Sequence, residues 1–202
     1  MGSASSIKLR VAVLISGRGS NLQALIDACN SADYPAKIIC VISNKADAYG
    51  LERAKIAKIP TKIVNHKDFA NREEFDAALD KALRECKAEF VCLAGFMRLL
   101  TGGFVRKWLG RIINIHPSLL PDFKGAHPHE DVIKSGAKKS GCTVHFVTEN
   151  MDSGPTILQE SVDILSGDTA ETLAARVLKK EHTCYPAALR LIAEGKVSFI
   201  KK

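Results

Sequence analysis

The 202-residue sequence predicts an α/β fold: a mostly parallel central sheet with helices on both faces and an antiparallel edge in the C-terminal half. Three observations carry that expectation. Short apolar runs alternate with helical stretches as far as His116, the signature of strands joined by crossovers. Each run falls well short of the ~20 residues that a bilayer span requires. Beyond His116 the alternation gives way to a Pro- and Gly-rich loop, a short helix and two strand-like segments around a turn.

The elements follow in order. VAVLIS precedes NLQALIDACN, IICVIS precedes DAYGLERAKIAK, TKIV precedes NREEFDAALDKALREC, FVCLA precedes TGGFVRKW, and RIINIH completes five strands of a doubly wound sheet. HEDVIKSG then reads as a short helix ended by Gly136, and CTVHFV and TILQESVDI as strands flanking the turn TENMDSGP. Asp168, with Glu171 three residues later, reads as the N-cap of a last helix, AETLAARVLKKEHTCYPAALRLIAEG. That helix is expected to kink or break near Pro186 and to stop at Gly195. Residues 1–202 read as a single domain with about 1–7 a tail outside the fold.

A composition of 46% hydrophobic and 25% charged residues, with no apolar signal core at the start, points to a soluble cytoplasmic protein rather than a disordered or membrane one. Six cysteines without a CxxC pair read as free thiols in a reducing compartment. The net charge of +7 comes from dispersed pairs such as Lys138 with Lys139 and Lys179 with Lys180, which favours attraction of small anions over nucleic-acid binding. Aromatic residues, at 6%, offer no platform for stacking single strands.

Three motifs carry chemistry. SGRGSN, residues 16–21, joins a strand to a helix, so backbone N–H groups and the helix dipole suit a phosphate there; a plain tight turn has the same spacing. It is neither a dinucleotide fingerprint, since Leu22 replaces the third glycine, nor a P-loop, since no Gly-Lys-Ser/Thr follows. In NIH, strand alternation turns Asn114 and His116 to one face and Ile115 to the core. An imidazole that moves protons beside an amide that donates to a developing oxyanion is acyl-transfer equipment without a nucleophile, although a lone structural histidine is the plainer reading. Asp152, in ENMDSGP, is either a turn residue or a carboxylate that orients His116. HPHE, taken with His116 or His145, matches no standard zinc spacing, and no metal is expected. Ligands of open α/β sheets bind beyond the carboxyl ends of strands, which directs SGRGSN, the segment after FVCLAGF, and NIH to one cleft.

The stretches VLISGRGSNLQALID, VISNKADAYGLERA, VCLAGFMRLL, NIHPSLLP and VHFVTENMDSGPTILQE, in that order between about Leu9 and Lys196, closely resemble the glycinamide ribonucleotide formyltransferases, folate-dependent enzymes of de novo purine synthesis. The resemblance implies a Rossmann-like formyltransferase fold and transfer of a formyl group from 10-formyltetrahydrofolate, a co-substrate, to the amine of glycinamide ribonucleotide, without a metal. It makes Asn114, His116 and Asp152 the catalytic set. It assigns Gly19, Ser20, Asn21 and Glu181 to the ribonucleotide, and Arg72, Met97, Arg98, Leu99, Leu100, Asn114, Thr148 and Asp152 to the folate. Some members carry a lysine three residues before the acid; Leu178 stands there, with Lys179 and Lys180 beside it. His127 and His129 receive no role. The partners implied are these two small molecules, with no nucleic acid or membrane, and a monomer or weak homodimer. Related methionyl-tRNA formyltransferases and formyltetrahydrofolate hydrolases carry an added domain, for which 202 residues leave no room. The competing readings are hydrolase-like chemistry and a non-catalytic nucleotide-phosphate binding module.

Overall fold

The computed structural model describes residues 7–199. Apart from Ile7, which is exposed, the tail expected at 1–7 lies outside the described residues. The strands are β1 (Leu9–Ile15), β2 (Ala36–Ser43), β3 (Thr61–Ile63), β4 (Phe90–Leu93), β5 (Ile112–His116), β6 (Lys139–Phe146) and β7 (Thr156–Asp163). They form one sheet in the order β3-β2-β1-β4-β5-β6-β7. The pairs from β3 to β5 are parallel, and β5–β6 and β6–β7 are antiparallel, which is the expected sheet with its antiparallel edge.

The helices are α1 (Ser20–Cys29), α2 (Gly50–Ile56), α3 (Arg72–Glu85), α4 (Gly102–Lys107), α5 (Pro128–Ser135) and α6 (Ala170–Ala193). Val11, Val13 and Ile15 of β1 pack with Leu22 and Leu25 of α1 and with Val177 and Tyr185 of α6. Ala12 and Leu14, on the opposite face, pack with Phe75 and Leu79 of α3 and Phe104 of α4. Both faces are therefore dry, which is why the strand runs read as apolar throughout instead of alternating. Tyr185 is fully buried, and its hydroxyl donates to the Leu93 carbonyl at 2.8 Å, so the polar atom it brings into the core is satisfied.

Two expectations about α6 are corrected. Its N-cap is Thr169, whose hydroxyl accepts from the Thr172 N–H while the Thr172 hydroxyl accepts from the Thr169 N–H. Asp168 is engaged elsewhere: it accepts from the Leu165 N–H and from both guanidinium NH2 groups of Arg176. The Arg176 bonds hold its carboxyl well below the usual carboxylate range. The helix also runs unbroken through Pro186 for 24 residues. Cys184, Tyr185, Ala188 and Leu189 are buried on either side of the proline, and the Pro186 carbonyl accepts the Tyr34 hydroxyl at 2.7 Å. Packing of this length of helix outweighs the one missing N–H. Gly195, at φ 69°, ends it as expected.

All six cysteines are free, with Cys40, Cys92, Cys142 and Cys184 buried. Among the described residues no helix is long and apolar enough to cross a membrane. The strand order reverses beside β1, with β2 and β3 to one side and β4 and β5 to the other. Chain leaving β1 and chain leaving β4 therefore diverge, and a crevice opens between them at the carboxyl end of the sheet.

Candidate active site

One end of the site is the β1–α1 turn. Gly19 lies in the left-handed region at φ 71° and serves as the N-cap of α1 without a side-chain cap, so the first N–H groups of the helix remain unclaimed. A cavity of about 350 Å³ sits on this turn, lined by residues 16–21, Lys45, Ala94, Gly95 and Met97. The Ser16 hydroxyl bonds the Asn44 side chain at 2.5 Å and accepts the Met97 N–H at 2.8 Å, tying together the turns that follow β1, β2 and β4. On the α6 side, Asn21 Nδ2 donates to Glu181 Oε2 at 2.6 Å. Burial pushes the Glu181 carboxyl up from its ordinary value, while the Asn21 bond and the nearby His116 pull it back.

The other end is built on β5. Antiparallel register sets Asn114 opposite His145 and His116 opposite Thr143, so Asn114, His116 and His145 share one face. The chain between β6 and β7 folds back over that face. Asp152 reaches it from a left-handed conformation, φ 49°, that aspartate tolerates better than most residues, and its carboxylate accepts the Gly125 N–H at 3.1 Å. Asp152 Oδ2 lies 3.6 Å from His116 Nδ1, and Oδ1 lies 3.8 Å from His145 Nε2. His116 Nε2 donates to the Phe123 carbonyl at 3.0 Å, so both ring nitrogens face oxygen acceptors. His145 Nδ1 donates to the Phe146 carbonyl at 2.9 Å, which leaves Nε2 to accept the Asn114 amide at 3.4 Å. Burial lowers the His145 pKa, in keeping with a neutral ring in that accepting role.

Asn114, His116 and Asp152 are thus brought together, as are Asn21 and Glu181. Met97 and Leu99 stand exposed on the turn after β4, Arg98 and Leu100 are half-buried beside them, and Thr148 bonds the Asn150 carbonyl within the β6–β7 loop. Arg72, the first residue of α3, is exposed, and no hydrogen bond or ion pair among the described residues ties it to the others. His127 lies 3.8 Å from Glu130 on the surface, while His129 is half-buried with Nδ1 unpartnered. No group of three or more His, Cys, Asp or Glu side chains among the described residues is placed to hold a metal ion.

Residues 9–189 match the Formyl transferase family. The chain belongs to the formyl transferase family. Within that family its relatives include the phosphoribosylglycinamide formyltransferase of Haemophilus influenzae, 46% identical over 188 residues that make up 93% of this chain and 89% of that one. The trifunctional purine biosynthetic protein adenosine-3 of Bos taurus is 56% identical over 94% of this chain, but the chain spans only 19% of that protein's length. Among solved structures, phosphoribosylglycinamide formyltransferase from Brucella melitensis superposes with a TM-score of 0.89 at 51% identity, covering 96% of this chain and 100% of that one. Glycinamide ribonucleotide transformylase 1 from Symbiobacterium toebii gives 0.93 at 43%, covering 99% and 100%. The sheet is accordingly the Rossmann-like arrangement of a formyl transferase.

For a formyl transferase the β5 end offers an amide donor and an imidazole fixed between a carboxylate and a carbonyl, a set suited to acyl transfer without a covalent intermediate on the protein. His145, which orients the Asn114 amide, stands in the sequence reading only as a candidate metal ligand. Its partner Asn114 lies 31 residues away, and only the β5–β6 register brings the two together.

Proposed function

We propose that the chain is a cytoplasmic enzyme that transfers the formyl group of 10-formyltetrahydrofolate to the amine of glycinamide ribonucleotide, giving formylglycinamide ribonucleotide and tetrahydrofolate in purine biosynthesis. The observation that carries this reading is the meeting of Asn114, His116 and Asp152 at the end of β5, the same carboxyl end of the sheet that holds the cavity on the β1–α1 turn. Gly19, Ser20 and Asn21 receive the ribonucleotide phosphate on the N–H groups that open α1, and Glu181 contacts the same substrate. Met97, Leu99 and Met151, exposed by 75%, 58% and 54%, suit the flat ring system of the folate, with Leu100 and Thr148 alongside. Arg72 and Arg98 supply cations for the carboxylates of its tail.

Attack of the amine on the formyl carbon puts negative charge on the formyl oxygen and positive charge on the nitrogen. Asn114 Nδ2 donates to the oxygen, and His116 joins it by exchanging the Phe123 carbonyl for that oxygen as the acceptor of its Nε2 N–H, an effect typically worth about 3 kcal/mol per donor in a transition state. Asp152 holds His116 in place and anchors a water that carries the amine proton toward the leaving folate nitrogen. No residue forms a bond to the formyl carbon, in keeping with the absence of a nucleophile from the motif. The active species is a monomer or weak homodimer.

Absorbance-monitored deformylation of the folate, with and without the ribonucleotide, tests the assignment. Turnover that requires the amine is expected. Deformylation independent of it would assign a hydrolase instead, and absence of turnover with phosphate binding retained would leave a nucleotide-binding module.

A further inference from the structure

We propose that Arg53, on α2, is a positioning residue for the substrate phosphate: it sets the direction of the N–H groups in the β1–α1 turn without touching the substrate. The proposal rests on the reading of that turn as the ribonucleotide phosphate site. Arg53 Nε donates to the Arg18 carbonyl at 2.9 Å, and its NH1 donates to Gln23 Oε1 at 3.2 Å. One turn earlier on α2, the Gly50 N–H donates to the Gly17 carbonyl at 2.9 Å. The Gly19 carbonyl accepts the Gln23 N–H at 2.9 Å, the first bond of α1.

Three successive carbonyls, those of Gly17, Arg18 and Gly19, are therefore held by protein donors. In a trans peptide the C=O of one residue and the N–H of the next point in opposite directions. The peptide bonds here are trans, the cis bond of the described residues being Leu120–Pro121. Fixing those carbonyls on the α2 and α1 sides turns the N–H groups of Arg18, Gly19 and Ser20 the other way, toward the cavity lined by residues 16–21. None of these three N–H groups finds an acceptor among the described residues.

The brace is also close-packed. A Cβ on Gly19 would lie 2.7 Å from the Gly50 Cα, and one on Gly50 would lie 2.5 Å from the Ile15 side chain, so α2 abuts the turn directly. The Arg53 guanidinium stacks on the Tyr49 ring, 5.0 Å from its centroid, and forms no ion pair among the described residues. Its positive charge is therefore left uncompensated behind the phosphate cradle.

The test uses the full chain with Arg53→Ala and Arg53→Lys, each checked for folding by circular dichroism and melting temperature. Arg53→Ala is expected to raise KM for glycinamide ribonucleotide by about tenfold or more, the scale of one lost charged hydrogen bond, with a much smaller change in kcat and in KM for the folate. Competitive inhibition by inorganic phosphate should weaken in parallel. Arg53→Lys should recover only part of the loss, since one ammonium does not reproduce a fork that bonds Arg18 and Gln23 at once. A role confined to folding would lower kcat with the active fraction and leave KM and phosphate inhibition alone. Wild-type KM and phosphate inhibition in folded Arg53→Ala overturn the proposal; if that variant does not fold, the same result in Arg53→Lys does so. Should the wild type fail to use the ribonucleotide, the functional reading falls separately, and phosphate titration followed by phosphorus NMR still decides: weaker binding in the Arg53 variants supports the brace, and equal binding overturns it.

Discussion

Asp152 is the residue at which a turn and a catalytic role predict different outcomes. Its left-handed φ and its bond to the Gly125 N–H are what a turn requires, and Asn would supply both nearly as well. Its approach to His116, 3.6 Å away with both side chains at most 10% exposed, requires the charge. Asp152→Asn is therefore expected to keep the fold and lose at least about tenfold in kcat, whereas a turn-only role would leave steady-state rates at the wild-type level. His145 supports a second expectation, on pH. Burial lowers its pKa from the ordinary 6.5, as it does for His129 and His182. The unfolded chain then binds more protons than the folded one below about pH 6.5, so stability is full above that value and is lost as pH falls through the lowered folded values. The melting temperature should drop between about pH 7 and about pH 5, and His145→Gln should flatten the drop; an equally steep decline in the variant would exclude His145 as a contributor. The sequence shows Asn114 and His116 because strand alternation is local. It leaves Asp152 open and passes over His145 as an orienting group because their partners lie 36 and 31 residues away, at distances that only the folded register closes.

At the scale of elements, legibility follows how local the deciding contact is. The central strands β1, β2 and β4 announce themselves because both of their faces are buried and their runs are almost wholly apolar. The start of α6 lies one residue later than the sequence predicts: Asp168 and Thr169 both have capping side chains, and Arg176, two turns into the helix, takes the aspartate. Pro186 suggested a break that buried neighbours on both sides prevent. The β6–β7 loop is the element on which the site depends most, and Gly154 is the position where it is tightest. A Cβ there would lie 1.7 Å from the Phe146 carbonyl oxygen, the same oxygen that accepts from His145 Nδ1. Gly154→Ala should therefore shift the loop and Asp152 with it, lowering kcat on the order of tenfold to 100-fold while the parallel half of the sheet stays folded. Unchanged kinetics would mean that the loop adapts without moving its carboxylate.

Across the whole molecule, the parallel run of β1, β4 and β5 brings motifs far apart in sequence to one end of the sheet: a cavity lies on the β1–α1 turn and is lined also by the turn after β4, and Asn114, His116 and Asp152 meet at the end of β5. That convergence was foreseeable from the rule that such sheets bind ligands at strand carboxyl ends, while the folding of the β6–β7 loop across the sheet face was not. The net charge of +7 acts at this scale as well. The two proposed substrates are anionic, so kcat/KM should fall as salt is raised while kcat changes little; a salt-insensitive kcat/KM would remove steering from the description. The central claim is that Asn114 and His116 serve one transition state of formyl transfer, and the most direct measurement is kcat with both substrates saturating for His116→Ala, Asn114→Ala and the double variant. Each single change is expected to cost roughly 100-fold or more with the fold intact, and the double variant less than the product of the two. Turnover retained in His116→Ala would contradict the claim.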